Sequence, residues 1–111
     1  MKTIARIAAL ALSLALPLAA FAQAWPSKPI RIIVNFPPGG AADVIARAVA
    51  PGLGEALGQQ VVIENRPGAG GNIGADAVAK SPADGYTVLM ASGGAISINP
   101  HIYAKMPFDP V

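Results

Sequence analysis

Cysteine is absent from the 111 residues, so no disulfide can brace the fold and no thiolate is available as a nucleophile or metal ligand. Histidine occurs once, as His101, and no further His, Asp or Glu stands near it at metal-ligand spacing, which argues against a zinc site. Charged residues are only 13% of the chain and aromatic residues 5%. No Gly-Lys-Ser/Thr occurs, which excludes a Walker loop, and no G-x-S-x-G elbow surrounds Ser92. Against these shortages stand 12 glycines and 11 prolines, and they are clustered rather than scattered.

The formal net charge of +2 belongs to the first residues. Lys2 and Arg6 form a basic opening, Ile7 to Leu16 an apolar run, Pro17 breaks it, and Ala20-Phe21-Ala22 has the small-x-small form of a cleavage site. The apolar run is close to the ~17-residue lower limit for spanning a bilayer, but Pro17 and the cleavage site favour a secretory signal removed near Ala22. Without Lys2 and Arg6 the remainder carries six Lys and Arg, singly placed, against six Asp and Glu. A nucleic-acid partner is therefore rejected.

From Ile30 to Phe36 the chain is rich in β-branched residues and flanked by Pro29 and Pro37, as expected of a short buried strand. Between Ala41 and Leu57 the period changes: Ile45, Val49, Leu53 and Leu57 recur every four residues, which predicts an amphipathic helix burying that face. Pro51 inside it is expected to cause a kink near Arg47. Gly58 is a stop signal, Val61 to Asn65 a second strand, and Ile73 to Lys80 a shorter helix. Tyr86 to Ala91 gives a third strand, and Asn99-Pro100 the cap and first position of another helix. The β-α-β-α-β run predicts an α/β fold with a parallel sheet in the order 2-1-3 and right-handed crossovers. Ligands bind outside the carboxyl ends of such strands where the order reverses, here between Gly39-Gly40 and Ser92-Gly93-Gly94.

Two glycine clusters, Phe36-Pro37-Pro38-Gly39-Gly40 and Arg66-Pro67-Gly68-Ala69-Gly70-Gly71, each join a strand to a helix. Such loops let backbone N–H groups converge on an anion, most simply a carboxylate, beside the positive end of the helix dipole. A tight turn with no ligand fits the same glycines. Dinucleotide binding does not fit, because Ile73 stands where GxGxxG needs glycine and no acidic residue ends the third strand. Asp43 is placed to satisfy amides of the first helical turn, Glu64 and Arg66 to pair with each other, and Trp25 and Tyr103 to pack.

Trp25-Pro26-Ser27-Lys28-Pro29-Ile30, Phe36 to Gly40 with Asp43 and Arg47, Glu64 to Gly71, Asp84-Gly85-Tyr86-Thr87, and Asn99-Pro100 with Tyr103 follow one another in a specific order. Together they resemble the Bug (TctC-like) proteins, the extracytoplasmic solute receptors of tripartite tricarboxylate transporters. The resemblance implies a type II periplasmic-binding-protein fold of two lobes, of which residues 23–111 form the first part of lobe one and the second lobe is missing. It implies a monomeric receptor without catalytic residues or cofactors, which closes on a small carboxylated solute and hands it to a membrane permease. Carried onto this chain, the ligand walls are Phe36, Pro38, Gly39, Gly40 and Ala41 on one side and Ser92, Gly93, Gly94 and Ser97 on the other. Gly70, Gly71 and Asn72 form a supporting or second contact. Asn35 stands where relatives often have proline, and Ser92-Gly93-Gly94 is poorer in hydroxyls than the family's usual loop, which leaves the ligand's identity open. The alternative is an exported α/β enzyme acting on a small organic acid, with Ser92 or His101 as its active group.

Overall fold

The computed structural model describes residues 24–110, and the signal-peptide reading of residues 1–22 lies outside them. Three parallel strands, β1 (Ile30–Val34), β2 (Val61–Asn65) and β3 (Thr87–Met90), form one sheet in the order β2-β1-β3. Ile32 is in register with Ile63 on one side and Val88 on the other. The strand order is the expected one, but β1 stops two residues short of Phe36 and β3 loses a residue at each end. The Val34 carbonyl accepts the last pairing bond, from Arg66 N–H at 2.8 Å. Asn35 then uses its side chain instead, donating from Nδ2 to the Gly71 carbonyl at 3.2 Å.

Helix α1 (Ala41–Leu57) connects β1 to β2, and α2 (Asn72–Ala79) connects β2 to β3. Side chains alternate across β1, so Ile32 and Val34 pack with Ala46 of α1, joined by Ala42, Val61, Ile63 and Met90. Ile33 and Asn35 point to the other side, where Asn35 meets Gly71 and Gly74 at the start of α2. Ile33, Val34 and Asn35 are the largest fully buried side chains, and burying the two aliphatic ones stabilises the sheet by about 1.5 to 3 kcal/mol each.

The buried face of α1 is not the one its large residues predict. Ile45, Val49 and Leu53 are 54%, 46% and 37% exposed, whereas Ala46 is buried and Ala42 and Ala50 are half-buried. Both sets recur every four residues, and the small one lies against the sheet because alanines allow the helix backbone to approach it. The helix runs on through Pro51 and ends at Gly58, whose φ of 65° and bonds to Glu55 and Gly54 close the last turn.

After β3 a π-helical turn (Gly94–Ile98) leads into α3 (Asn99–Ile102). Asn99 was expected to cap that helix but is its first residue, buried, with Ile98 in the cap position. Its Nδ2 donates to the Gly70 carbonyl at 3.0 Å and to Asn72 Oδ1 at 2.7 Å, so it ties α3 to the loop before α2. At the opposite end of the sheet Trp25 packs on Tyr86 with ring centroids 5.8 Å apart. Lys28 lies 4.4 Å over the same Tyr86 ring.

Candidate functional site

The carboxyl ends of β1 and β3 open onto a cavity of about 330 Å³ lined by Phe36, Pro37, Pro38, Gly40, Ala41, Ala42 and Ser92. Four of the expected lobe-one residues from the first loop and one from the third strand's end thus meet around one space. Gly39 is exposed beside it with a φ of +86°, a left-handed conformation that glycine adopts without strain. Gly93, Gly94 and Ser97 continue from Ser92 into the π-helical turn, and Ser97 is exposed there. Pro37 of the first glycine cluster also lines the cavity, as does Ala42, which carried no functional signal in the sequence.

The amides at the helix starts that follow the two glycine loops are used in opposite ways. In the second, Gly71 and Ile73 both donate to the Gly68 carbonyl, at 3.0 and 3.4 Å, and Asn72 donates to Ala69. Gly71 and Asn72 are buried and Gly70 lies beneath Tyr103, where a Cβ would sit 3.0 Å from the hydroxyl. In the first loop Gly40 is the helix cap, with no side-chain cap bond, and Val44 makes the first helical bond, to the Gly40 carbonyl at 3.0 Å. Among the described residues nothing accepts from the amides of Ala41, Ala42 and Asp43. Two of these three residues line the cavity, and the dipole of a 17-residue helix adds its positive end there.

The buried carboxylate of Asp43 accepts from none of those amides. Oδ2 accepts from Gly39 N–H at 2.9 Å, and Oδ1 from Asn65 Nδ2 at 2.9 Å. Arg47 Nε reaches both oxygens at 3.0 Å, and its Nη2 donates to Asn65 Oδ1 at 3.1 Å. Asn65 Nδ2 also donates to the Phe36 carbonyl at 3.2 Å. The Arg47 guanidinium first, then the Gly39 N–H and the Asn65 amide, hold the Asp43 carboxyl down to about 2, against the opposing effect of burial. The sequence places Asn65 at the end of a strand and within the Glu64 to Gly71 segment of the resemblance, but gives it no role in the site.

Arg66 is directed at Glu64, 2.6 Å from Nε to Oε1, with Arg31 on the other carboxylate oxygen at 3.5 Å. His101 is exposed on α3, and among the described residues no hydrogen bond links it to Ser92. No group of three or more acidic or histidine side chains there is arranged to hold a metal ion. A second, more open groove of about 730 Å³ runs along α1 and β2 from Arg47 to Ile63. It lies along the middle and C-terminal part of α1, where the dipole opposes an anion.

A family model described as the tripartite tricarboxylate transporter family receptor matches residues 45–111. The protein BugT of Bordetella pertussis is 52% identical over 93 residues, covering 79% of this chain and 28% of BugT. The structure of R. palustris Rpa4515 with adipate superposes with a TM-score of 0.74 at 44% identity, over 78% of this chain and 29% of that one. MatC from Rhodopseudomonas palustris with bound malate gives 0.74 at 31% identity, again over 78% and 29%. The chain spans about a third of the length of the curated relatives it matches. With its sheet order, its two glycine loops and these similarities, the chain belongs to the tripartite tricarboxylate transporter receptor (TctC or Bug) family.

Proposed function

We propose that the full-length protein is a periplasmic receptor that captures a small carboxylate-bearing solute and delivers it to the membrane permease of a tripartite transporter. Residues 1–22 serve as its cleaved signal and residues 23–111 as the first part of lobe one. The observation that carries the reading is the set of free amides at Ala41, Ala42 and Asp43 beside the cavity that Phe36, Pro38, Gly40, Ala41 and Ser92 line. Three hydrogen bonds to a charged acceptor, at about 1.5 to 3 kcal/mol each, are of the size needed for a micromolar ligand, ~8 kcal/mol. The adipate and malate bound by two similar proteins are ligands of this chemistry.

In this reading Gly39 and Gly40 let the ligand approach the backbone, and Ser92 to Ser97 form the facing wall. Gly70, Gly71 and Asn72 support that wall through Asn99 and Tyr103 rather than touch the solute. Binding requires no cofactor and no chemistry, and the receptor works as a monomer whose second lobe closes the site. A thermal-shift screen of the full-length protein against mono-, di- and tricarboxylates, amino acids and aromatic acids tests the proposal. Stabilisation by one or more carboxylates is expected; a response only to sugars or cations overturns it.

A further inference from the structure

A glycine loop that binds through its backbone has no side chain of its own to fix its shape. Gly39 has open space around the position of a Cβ, and Pro37, Pro38, Gly39 and Gly40 are all exposed. Within the loop the bond from Gly40 N–H to the Pro37 carbonyl is long, at 3.4 Å. The stronger restraints come from outside it. Asp43 Oδ2 holds the Gly39 amide at 2.9 Å, and Asn65 Nδ2 bridges Asp43 Oδ1 to the Phe36 carbonyl. The two ends of the loop are therefore tied to one buried carboxylate.

That carboxylate sits in the first turn of the helix whose amides face the cavity, and left uncompensated it would repel an anion there. Arg47 bonds both oxygens and also Asn65, so the charge is neutralised on the side away from the cavity. None of Asp43, Arg47 and Asn65 lines the cavity.

We propose that Asp43 is the positioning residue of the carboxylate-binding loop, fixing Gly39 directly and Phe36 through Asn65, while Arg47 cancels its charge. This rests on the receptor reading above. The role is structural toward the loop and electrostatic toward the ligand, so the two contributions separate in different variants. Asp43→Ala frees Gly39 directly and removes one of the anchors of Asn65, which holds Phe36. Arg47→Met leaves the loop tied but the carboxylate uncompensated.

The test uses the full-length protein with the mono-, di- and tricarboxylates, amino acids and aromatic acids of the screen above as probes, adipate and its monocarboxylate analogue among them, calorimetry for affinity and hydrogen exchange for the Gly39 amide. Asp43→Ala is expected to weaken the best probe at least about tenfold and to accelerate exchange at Gly39, with Asp43→Asn falling between it and wild type. Arg47→Met is expected to weaken a dicarboxylate more than its monocarboxylate analogue, the difference shrinking at high salt. Asp76→Ala, which breaks the similar pair with Lys80 on α2, is expected to change neither readout. If Asp43→Ala does not fold, Asn65→Ala reports on the Phe36 end alone and is expected to lose affinity several-fold. No response of wild type to any probe overturns the carboxylate reading and this proposal with it. Wild-type affinity in folded Asp43→Ala or Asn65→Ala overturns the positioning role alone.

Discussion

Asn35 and Gly74 meet without room for a methyl group: a Cβ on Gly74 would lie 2.7 Å from Asn35 Cβ and 2.8 Å from the Arg66 carbonyl oxygen. This contact seats the first turn of α2 against the end of β1 and sets the height of the second glycine loop. Gly74→Ala gains helix propensity of about 1 kcal/mol, but the overlap with backbone atoms cannot be relieved by a rotamer change. Overpacking costs about 1 to 3 kcal/mol, so the variant of the full-length protein is expected to be less stable in urea unfolding. A midpoint equal to or above wild type contradicts this packing.

Gly40 differs from Gly74 in having space. Its φ of −74° and ψ of 167° suit any residue, and the nearest atom to an added Cβ is the Pro37 carbonyl oxygen at 3.5 Å. Gly40→Val is therefore expected to preserve the melting temperature of the full-length protein while its branches obstruct the cavity. An affinity loss of at least tenfold corresponds to about 1.4 kcal/mol, less than one lost charge-assisted bond. Unchanged binding by calorimetry removes the Phe36 to Ala41 loop from the site.

Much of this arrangement is legible in the sequence, and what is not has a physical cause. The alternating parallel strands follow from three short runs and short connections, and the order β2-β1-β3 from placing the first strand at the centre. The buried side of α1 does not, because Ile45, Val49 and Leu53 share their period with Ala42, Ala46 and Ala50, and only the approach of the sheet selects the small set. Asn99 looks like a cap in one dimension; its partners Gly70 and Asn72 lie 29 and 27 residues away. The two glycine loops are alike in composition, yet the helix-start amides after the second close on Gly68 and Ala69, whereas Ala41, Ala42 and Asp43 after the first have no acceptor among the described residues. Composition does not encode that difference, since it depends on where each loop's carbonyls point.

Asp43 also makes the fold sensitive to acid. Its carboxyl is lowered from 3.8 to about 2, and a depressed folded-state pKa contributes stability that is complete above the unfolded value and is lost as pH falls through the folded one. The loss falls between about pH 4 and about pH 2. Asp43→Asn is expected to start less stable near neutral pH and to show a flatter profile across that window. Urea midpoints measured against pH check this, and parallel profiles for the two proteins contradict it.

The outer flank of α1 bears on how residues 23–111 behave alone. Ile45, Val49 and Leu53 are left exposed on α1, Val88 is 46% exposed, and β3 is an edge strand here. Produced without the remaining two thirds of the relatives' length, this segment is expected to self-associate or to be only partly ordered, with weak or no ligand binding. Light scattering and amide spectra decide the point. A monomer with a sharp cooperative melt and dispersed spectra contradicts the reading of these residues as part of a larger lobe.

The most direct measurement is an amide NMR titration of the full-length protein with the carboxylate that stabilises it most. The account predicts saturable shifts at Ala41, Ala42 and Asp43, with Ser92 following, and little change at the Gly71, Asn72 and Ile73 amides, which are already bonded within their own loop. Shifts confined to the groove between Arg47 and Ile63, or to the second glycine loop, contradict a carboxylate held at the start of α1.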